Sequence, residues 1–349
     1  MVLNPKIFIP ILLLSLLGLF FFYGASLTYS EKQFGDPYYY FKRFLLGNFF
    51  LGFLFFFLMS CIEWKILRKS ILFFFILNII LAMIAFIPQF RLPGQPTARW
   101  VYFKGFSFQP SEFLKLTTLL FISFIIPFLK RKKSKDYIIL LTFAILIVLF
   151  LIYNQPALSN VLILTVGLLG GFLATNLKTQ IIILSSLIII FILFSFLWGY
   201  RVERVKSFLK KESFQASQTR LAIGSGGILG KGIGKSELKL IGIPLLITDS
   251  IFAVYAEETG FVGSIILILI FLFLIFQIFL IGMNETSQDK RFFIFGVGCW
   301  ISAQAFLHIA SNLAFIPPVG IALPFFSYGP SSQISIMIAL GIINKISME

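Results

Sequence analysis

Residues 251–283, IFAVYAEETGFVGSIILILIFLFLIFQIFLIGM, decide the class of this fold. As a helix the run is long enough to cross roughly 30 Å of hydrocarbon. Glu257 and Glu258 stand near its start, and one of them must point inward or incur a desolvation cost. Other apolar stretches lie at about 7–27, 44–61, 70–88, 112–129, 137–153, 158–175, 179–198, 291–313 and 331–346. The chain therefore reads as an all-α, polytopic integral membrane protein of about ten transmembrane helices, one domain over residues 1–349. The first run follows Lys6 and could pass for a signal peptide. Its length and the absence of a convincing cleavage site argue for a retained helix.

Composition agrees. The chain is 58% hydrophobic and 12% charged, with a mean hydropathy of +0.97, where a soluble domain carries about 25% charged residues. So much Phe, Leu and Ile cannot be hidden from water by folding alone, and no segment looks like a soluble catalytic domain. Lys and Arg number 29 against 14 Asp and Glu, a net charge of +15. These charges sit in short loops between apolar runs, which fits orientation signals and anionic headgroups better than nucleic acid. Cys61 and Cys299 lie in or beside apolar runs as small hydrophobes. One His without a Cys/His cluster offers no transition-metal site.

The basic loops are 62–69, 130–136 and 284–291, all on one side if ten spans alternate. That side reads as cytoplasmic, with both termini. The other face carries 28–43, 89–111, the long loop at about 199–250, and 314–330, and every unusual motif falls there. Gly167 and Gly171 form a GxxxG pair whose simplest role is close helix packing.

On that face Thr97-Ala98-Arg99-Trp100 leads to Gln109-Pro110-Ser111-Glu112 and Lys115. Pro110 opens a helix with Glu112 in its first turn, and Glu112 and Lys115 can pair at i, i+3. An interfacial anchor is the competing reading. The long loop holds Arg201, Arg204, Gln215 and Gln218, then Gly224-Ser225-Gly226-Gly227 and Lys231 to Lys235. Glycine-rich backbone with interspersed Lys can close on phosphate oxygens, although a solvated basic loop against headgroups remains open. A Walker A loop ending at Gly234-Lys235-Ser236 would need Gly at 229, where Leu stands.

Asp36 and Asp249 are the only aspartates assigned to this face. Asp249 either caps a helix or serves as a carboxylate beside a cationic loop. In the second role it takes a proton from an attacking hydroxyl while cations stabilise a departing diphosphate. Between 317 and 332, PPVGIALPFFSYGPSS is irregular backbone that must be buried in protein or line a wet cavity. His308 and Asn312 share a helix face just before it, and His308 reads as a packed or hydrogen-bonded group.

Taken in order, ARW, FQPSE with Lys115, Gln155-Pro156, AIGSGGILGKGIGKS, TDSIFAVYAEETGFVG and the 317–332 segment resemble the SEDS family (shape, elongation, division and sporulation) over about residues 20–345. The family's members polymerise lipid II into peptidoglycan glycan strands. The first outer loop, with Phe34-Gly35-Asp36-Pro37-Tyr38-Tyr39, resembles the division-type branch more than the elongation-type branch. The resemblance implies that Asp249 is catalytic. It also implies a substrate cavity formed by Arg99, Gln109, Glu112, Lys115, Arg201, Arg204, Gln215, Gln218, Gly226, Gly227, Lys231, Lys235, Glu257, Glu258, Ser327 and Tyr328. Implied partners are lipid II, a class B penicillin-binding protein transpeptidase and other division-complex membrane proteins, in the bacterial plasma membrane. A divalent cation, Mg or Mn, is compatible with such a transfer, although the sequence offers no dedicated cage. The chain departs from the family pattern at Ala157, Ser159, Asn160, Ile241, Leu245, Ile247, His308, Val319 and Pro330. A lipid II flippase or a non-catalytic divisome scaffold are the alternative readings.

Overall fold

Backbone in hydrocarbon has no water to satisfy its N–H and C=O groups, so apolar runs must close their hydrogen bonds within helices. The computed structural model describes residues 2–92, 98–103, 106–129, 134–155, 157–175, 213–241 and 246–349. Its first helix, α1, spans Pro5–Phe34. Next, α2 (Tyr39–Phe44) passes through a π-helical turn at Leu45–Phe50 into α3 (Leu51–Cys61). Then come α4 (Trp64–Ile84), α5 (Pro110–Leu129), α6 (Ser134–Asn154) and α7 (Leu158–Leu173). The short helices α8 (Phe214–Ser225), α9 (Leu238–Ile241) and α10 (Leu246–Asp249) lead into α11 (Ile251–Asn284), α12 (Gln288–Asn312) and α13 (Pro330–Ile346). Every expected span on described residues is thus a helix, and the one at about 179–198 lies outside them. Among the described residues, seven helical stretches are long and apolar enough to cross a membrane, by length and composition, and α7 is a shorter apolar helix.

Helix ends follow local chemistry. Asn4 caps α1 by accepting the Lys6 N–H, Pro5 opens it, and Gly35 closes it at φ 70° while donating to the Glu31 carbonyl. A left-handed C-terminal position favours glycine, and proline is at home in a first helical turn. Pro330 likewise opens α13.

Packing sorts the helices into inner and outer ones. α5 is the inner helix, with Leu114, Lys115, Leu119 and Ile122 out of contact with solvent or lipid. On α4, by contrast, Leu72, Phe73, Ile76, Ile80 and Met83 face outward, as a lipid-facing helix requires. The GxxxG pair sits where α7 meets α12. A Cβ at Gly167 would lie 3.0 Å from the Gly296 carbonyl, and one at Gly171 would lie 2.8 Å from that of Phe292. The close-packing reading of that pair therefore holds.

The two ends of the bundle differ. At one, the Asn4 backbone N–H donates to Asn344 Oδ1 at 2.9 Å, and Trp64 Nε1 donates to Asp289 Oδ2 at 2.9 Å. The other gathers residues 98–109, α8 to α10 and 313–329. A hairpin of β1 (Val101–Phe103) and β2 (Phe106–Phe108) lies there, with Val101 opposite Phe108. The sequence reading had no strand at that point. The hairpin delivers Gln109 to the start of α5, where its N–H donates to Ser331 Oγ at 3.0 Å.

One helix is broken. Gly260 within α11 has φ 66° and ψ −163°, a conformation that glycine alone adopts cheaply. The freed N–H groups are taken by the glycine-rich loop: Phe261 donates to the Gly227 carbonyl at 2.9 Å and Val262 to that of Ile228 at 3.1 Å. In return Lys231 N–H donates to the Glu257 carbonyl at 3.0 Å and Gly232 to that of Glu258 at 3.1 Å. The loop is a plug that restores the hydrogen bonds of a discontinuous membrane helix, the condition for such a break at membrane depth.

Candidate active site

Three polar groupings occupy the loop end and the interior beneath it. The deepest centres on Lys115, one turn into α5. Its ammonium lies 2.8 Å from Glu112 Oε2 and donates to Asn160 Oδ1 at 3.2 Å. The centre of the Trp300 ring lies 5.0 Å from it. Asn160 closes the network by donating to Glu112 Oε1 at 2.9 Å and Ser111 Oγ at 3.1 Å. Gln109 Nε2 also reaches Ser111 Oγ, at 3.0 Å. Buried charges are tolerated when paired and hydrogen-bonded, which these are. Arg99 stands nearby on the loop side, its Nε donating to the Gln155 carbonyl at 3.2 Å.

Along α12 a polar stripe runs through Trp300, Gln304, His308 and Asn312, spaced four apart on one face. Trp300 Nε1 donates to Gln304 Oε1 at 2.8 Å, and Gln304 Nε2 donates to the Ala322 carbonyl and to Ser332 Oγ, both at 2.9 Å. His308 is buried with Nδ1 2.8 Å from the Ile321 carbonyl, so it is the hydrogen-bonded group expected. Asn312 donates to the Asp249 carbonyl at 2.9 Å. The stripe thus connects the Lys115 network to Asp249 through the irregular 317–329 segment. Gln304 and Asn160 were not assigned to the site from sequence. The four-residue spacing of polar groups in an apolar helix was the available signal.

Asp249 ends α10 and is half-buried. Together with Gln215, Thr219, Ser250, Ser311, Asn312 and Pro318 it lines a small cleft. Gln215 Nε2 donates to Ser250 Oγ at 3.1 Å, and Gln218 is half-buried on the same helix. Gly320, at φ 64°, comes close enough that a Cβ there would lie 3.6 Å from Asp249 Oδ2. Ser327 and Tyr328 hold the backbone just before Asp249. Ser327 Oγ donates to the Thr248 carbonyl at 2.6 Å and accepts the Leu323 N–H at 2.8 Å. Tyr328 N–H donates to the Ile247 carbonyl at 2.9 Å. Burial pushes the Tyr328 phenol above its ordinary pKa. Ile247 is itself buried and takes part through its backbone.

The third grouping is the plug. Glu257, buried at 1% exposure, accepts from Lys231 Nζ at 2.9 Å and Ser236 Oγ at 2.6 Å, and from the Leu238 N–H at 3.2 Å. Glu258 pairs with Lys239, and Lys231 also reaches Glu237 at 3.1 Å. Gly226 packs on the backbone of Ala256 and Glu257, whereas Gly227 is open at φ 57°. Lys231, Glu257 and Glu258 are therefore brought to one another. Lys235 is exposed and lines, with Ser236, Lys239, Gly24 and Leu27, a cavity of about 300 Å³ beside α1. Arg201 and Arg204 lie outside the described residues. Among the described residues no three His, Cys, Asp or Glu side chains converge as a metal site.

Residues 5–349 match the family model for FtsW, RodA and SpoVE, described as cell cycle proteins. The chain belongs to this family. Relatives named probable peptidoglycan glycosyltransferase FtsW are similar over nearly its whole length. The one from Wigglesworthia glossinidia brevipalpis is 37% identical over 98% of this chain and 93% of its own. That from Borreliella burgdorferi is 33% identical over 97% and 94%. The similarity is thus to FtsW-type members, in line with the division-type reading of the first loop. The fold is shared with Thermus thermophilus rod shape determining protein RodA, at a TM-score of 0.73 and 21% identity over 100% of this chain and 97% of that one. A chain from a peptidoglycan synthase complex that coordinates polymerization and crosslinking has a TM-score of 0.77 at 22% identity, covering 100% of this chain and 98% of that one. This FtsW/RodA/SpoVE member is accordingly a multi-pass membrane protein.

Proposed function

We propose that this chain is a peptidoglycan glycosyltransferase that polymerises lipid II into glycan strands, with Asp249 as general base. The observation that carries the reading is the placement of Asp249 at a helix break. Its carboxylate borders a cleft at the loop end, and neighbouring side chains hold the backbone on both sides of it. The 4-hydroxyl of the acceptor lipid II attacks the anomeric carbon of the growing strand. As the new C–O bond forms, the bond from that carbon to the diphosphate breaks, and the electron pair leaves with the diphosphate. Asp249 takes the hydroxyl proton, and lysine and arginine side chains of the loop end offset the charge on the leaving group. Configuration inverts, as a single displacement requires.

The loop end is the extracytoplasmic face of the bacterial plasma membrane in this reading, and both termini are cytoplasmic. The basic loops support that orientation. A class B penicillin-binding protein that cross-links the strands is the proposed partner, within a division complex. The relatives' names support the substrate class.

The test is strand formation from labelled lipid II by the purified full-length chain with its candidate transpeptidase, wild type beside Asp249→Ala. Polymer from the wild type alone supports the reading. Equal polymer from both removes Asp249 from the chemistry, and none from either with the complex intact favours transport or scaffolding.

A further inference from the structure

We propose that Asn312 is a positioning residue for this transfer, its carboxamide inserted into the helical hydrogen bond that the break at Ser250 takes from the Asp249 carbonyl. The inference rests on the reading of Asp249 as the general base.

In a continuous helix the Ala253 N–H would donate to the Asp249 carbonyl, four residues back. Ser250, at φ −124° and ψ 16°, interrupts the helix between α10 and α11. The two halves of that bond now meet the Asn312 side chain. Its Nδ2 donates to the Asp249 carbonyl at 2.9 Å, and its Oδ1 accepts from the Ala253 N–H at 3.3 Å. Ala253 N–H is shared with the Ser250 carbonyl at 3.1 Å. A primary amide has both a donor and an acceptor on one plane, so it can replace a broken N–H to C=O bond end for end. Alanine offers neither, and aspartate offers only the acceptor.

Asn312 is in turn fixed. It is 2% exposed, and Nδ2 also donates to the His308 carbonyl at 2.9 Å. α12 is a 25-residue helix, so the clamp references the Asp249 backbone to a long rigid element rather than to a loop. From the other side Gln215 holds the Ser250 hydroxyl at 3.1 Å. Removing the donor takes away this hold on the Asp249 carbonyl, and the carboxylate shifts with the backbone. A shift on the order of 1 Å costs up to about 100-fold in rate.

The experiment compares the wild type with Asn312→Ala, Asn312→Asp and Asp249→Asn, as full-length chains polymerising fluorescent lipid II. Folding is read separately by gel filtration and melting in detergent. Both Asn312 variants are expected to lose roughly 10- to 100-fold in kcat, with KM within about twofold of wild type. Asn312→Asp keeps the acceptor for Ala253 and nearly the same shape. Wild-type kcat from that variant overturns the donor's role and the inference. So does an Asn312→Ala loss that merely tracks the folded fraction. Should the alanine variant not fold, the aspartate variant carries the test by itself. Full activity of Asp249→Asn removes the reading of Asp249 and this inference with it. An inactive Asp249→Asn beside normal Asn312 variants removes this inference alone.

Discussion

Lys115 and Glu112 hold a 2.8 Å ion pair one helical turn apart inside the bundle, with only 1% and 7% of their side chains exposed. In water such a pair contributes little. Here both charges are shielded, and removing one leaves the other stranded among Trp300, Asn160 and Gln304. Glu112→Gln or Lys115→Met alone is expected to destabilise by about 3–5 kcal/mol, while the double substitution recovers part of the loss. Melting of the four proteins in detergent checks this. Single variants that melt with the wild type would show the pair to be dispensable.

The plug makes a second prediction, because Gly230 in the loop and Gly260 in α11 have positive φ and no room for a side chain. A Cβ at Gly230 would collide with the Glu258 carbonyl, and one at Gly260 would lie 2.6 Å from that of Ile228. Gly230→Ala and Gly260→Ala should each lower the melting temperature sharply. Gly224, in α8 with open space around it, is the control. Its alanine variant should be neutral or slightly stabilising, by up to about 1 kcal/mol. Equal effects at all three positions would contradict the plug.

Lys231 is held above its ordinary pKa by its hydrogen bonds to Glu257 and Glu237. A group whose folded value is raised contributes fully below its unfolded pKa, and the contribution fades as pH rises through the folded value. Resistance of residues 226–235 to protease should therefore be flat through neutral pH and fall only in alkali, above 10.5. Asp36 has the opposite sign. The Tyr38 N–H and Lys42 hold it below its ordinary value of 3.8, so its contribution disappears only in acid below that point. Lys231→Met should lower protection at neutral pH and abolish the alkaline step.

Ser327→Ala should cost about 1–3 kcal/mol, because it removes the hydroxyl that accepts the buried Leu323 N–H and donates to the Thr248 carbonyl. Since Thr248 precedes Asp249, lipid II polymerisation should fall as well. The check is polymer yield per folded molecule. A variant that loses stability but keeps full turnover would limit Ser327 to a structural part.

How far the fold could be read beforehand depends on what lipid demands. The apolar runs on described residues were legible as helices because each must satisfy its own backbone, and apolar length is enough to mark that. The Glu112–Lys115 pair was legible from i, i+3 spacing, and the Gly167–Gly171 contact from small residues one turn apart. Partners distant in sequence were not legible. The run from Gly224 to Gly234 has the composition of a phosphate cradle. Its backbone is instead largely committed to the break at Gly260, some thirty residues on. Composition names the donors and leaves their acceptors open. Asn312 was similarly visible only as a neighbour of His308, because the bond it replaces exists only once the helix has broken at Ser250.

The break at Gly260 also acts as a ruler. An unbroken helix of 34 residues would measure about 51 Å at ~1.5 Å per residue, far more than the ~30 Å of hydrocarbon it must match. Unless the segment tilted steeply, such an overlength helix would drift along the membrane normal, or thicken the bilayer around it. Divided at Gly260, only the later part, about 36 Å long, has to fit the lipid. The first nine residues, Ile251–Thr259, are released from that constraint and lie fixed against α1, α8 and the plug. The position of Asp249 is then set by packing within the protein rather than by the fit of one helix to the lipid.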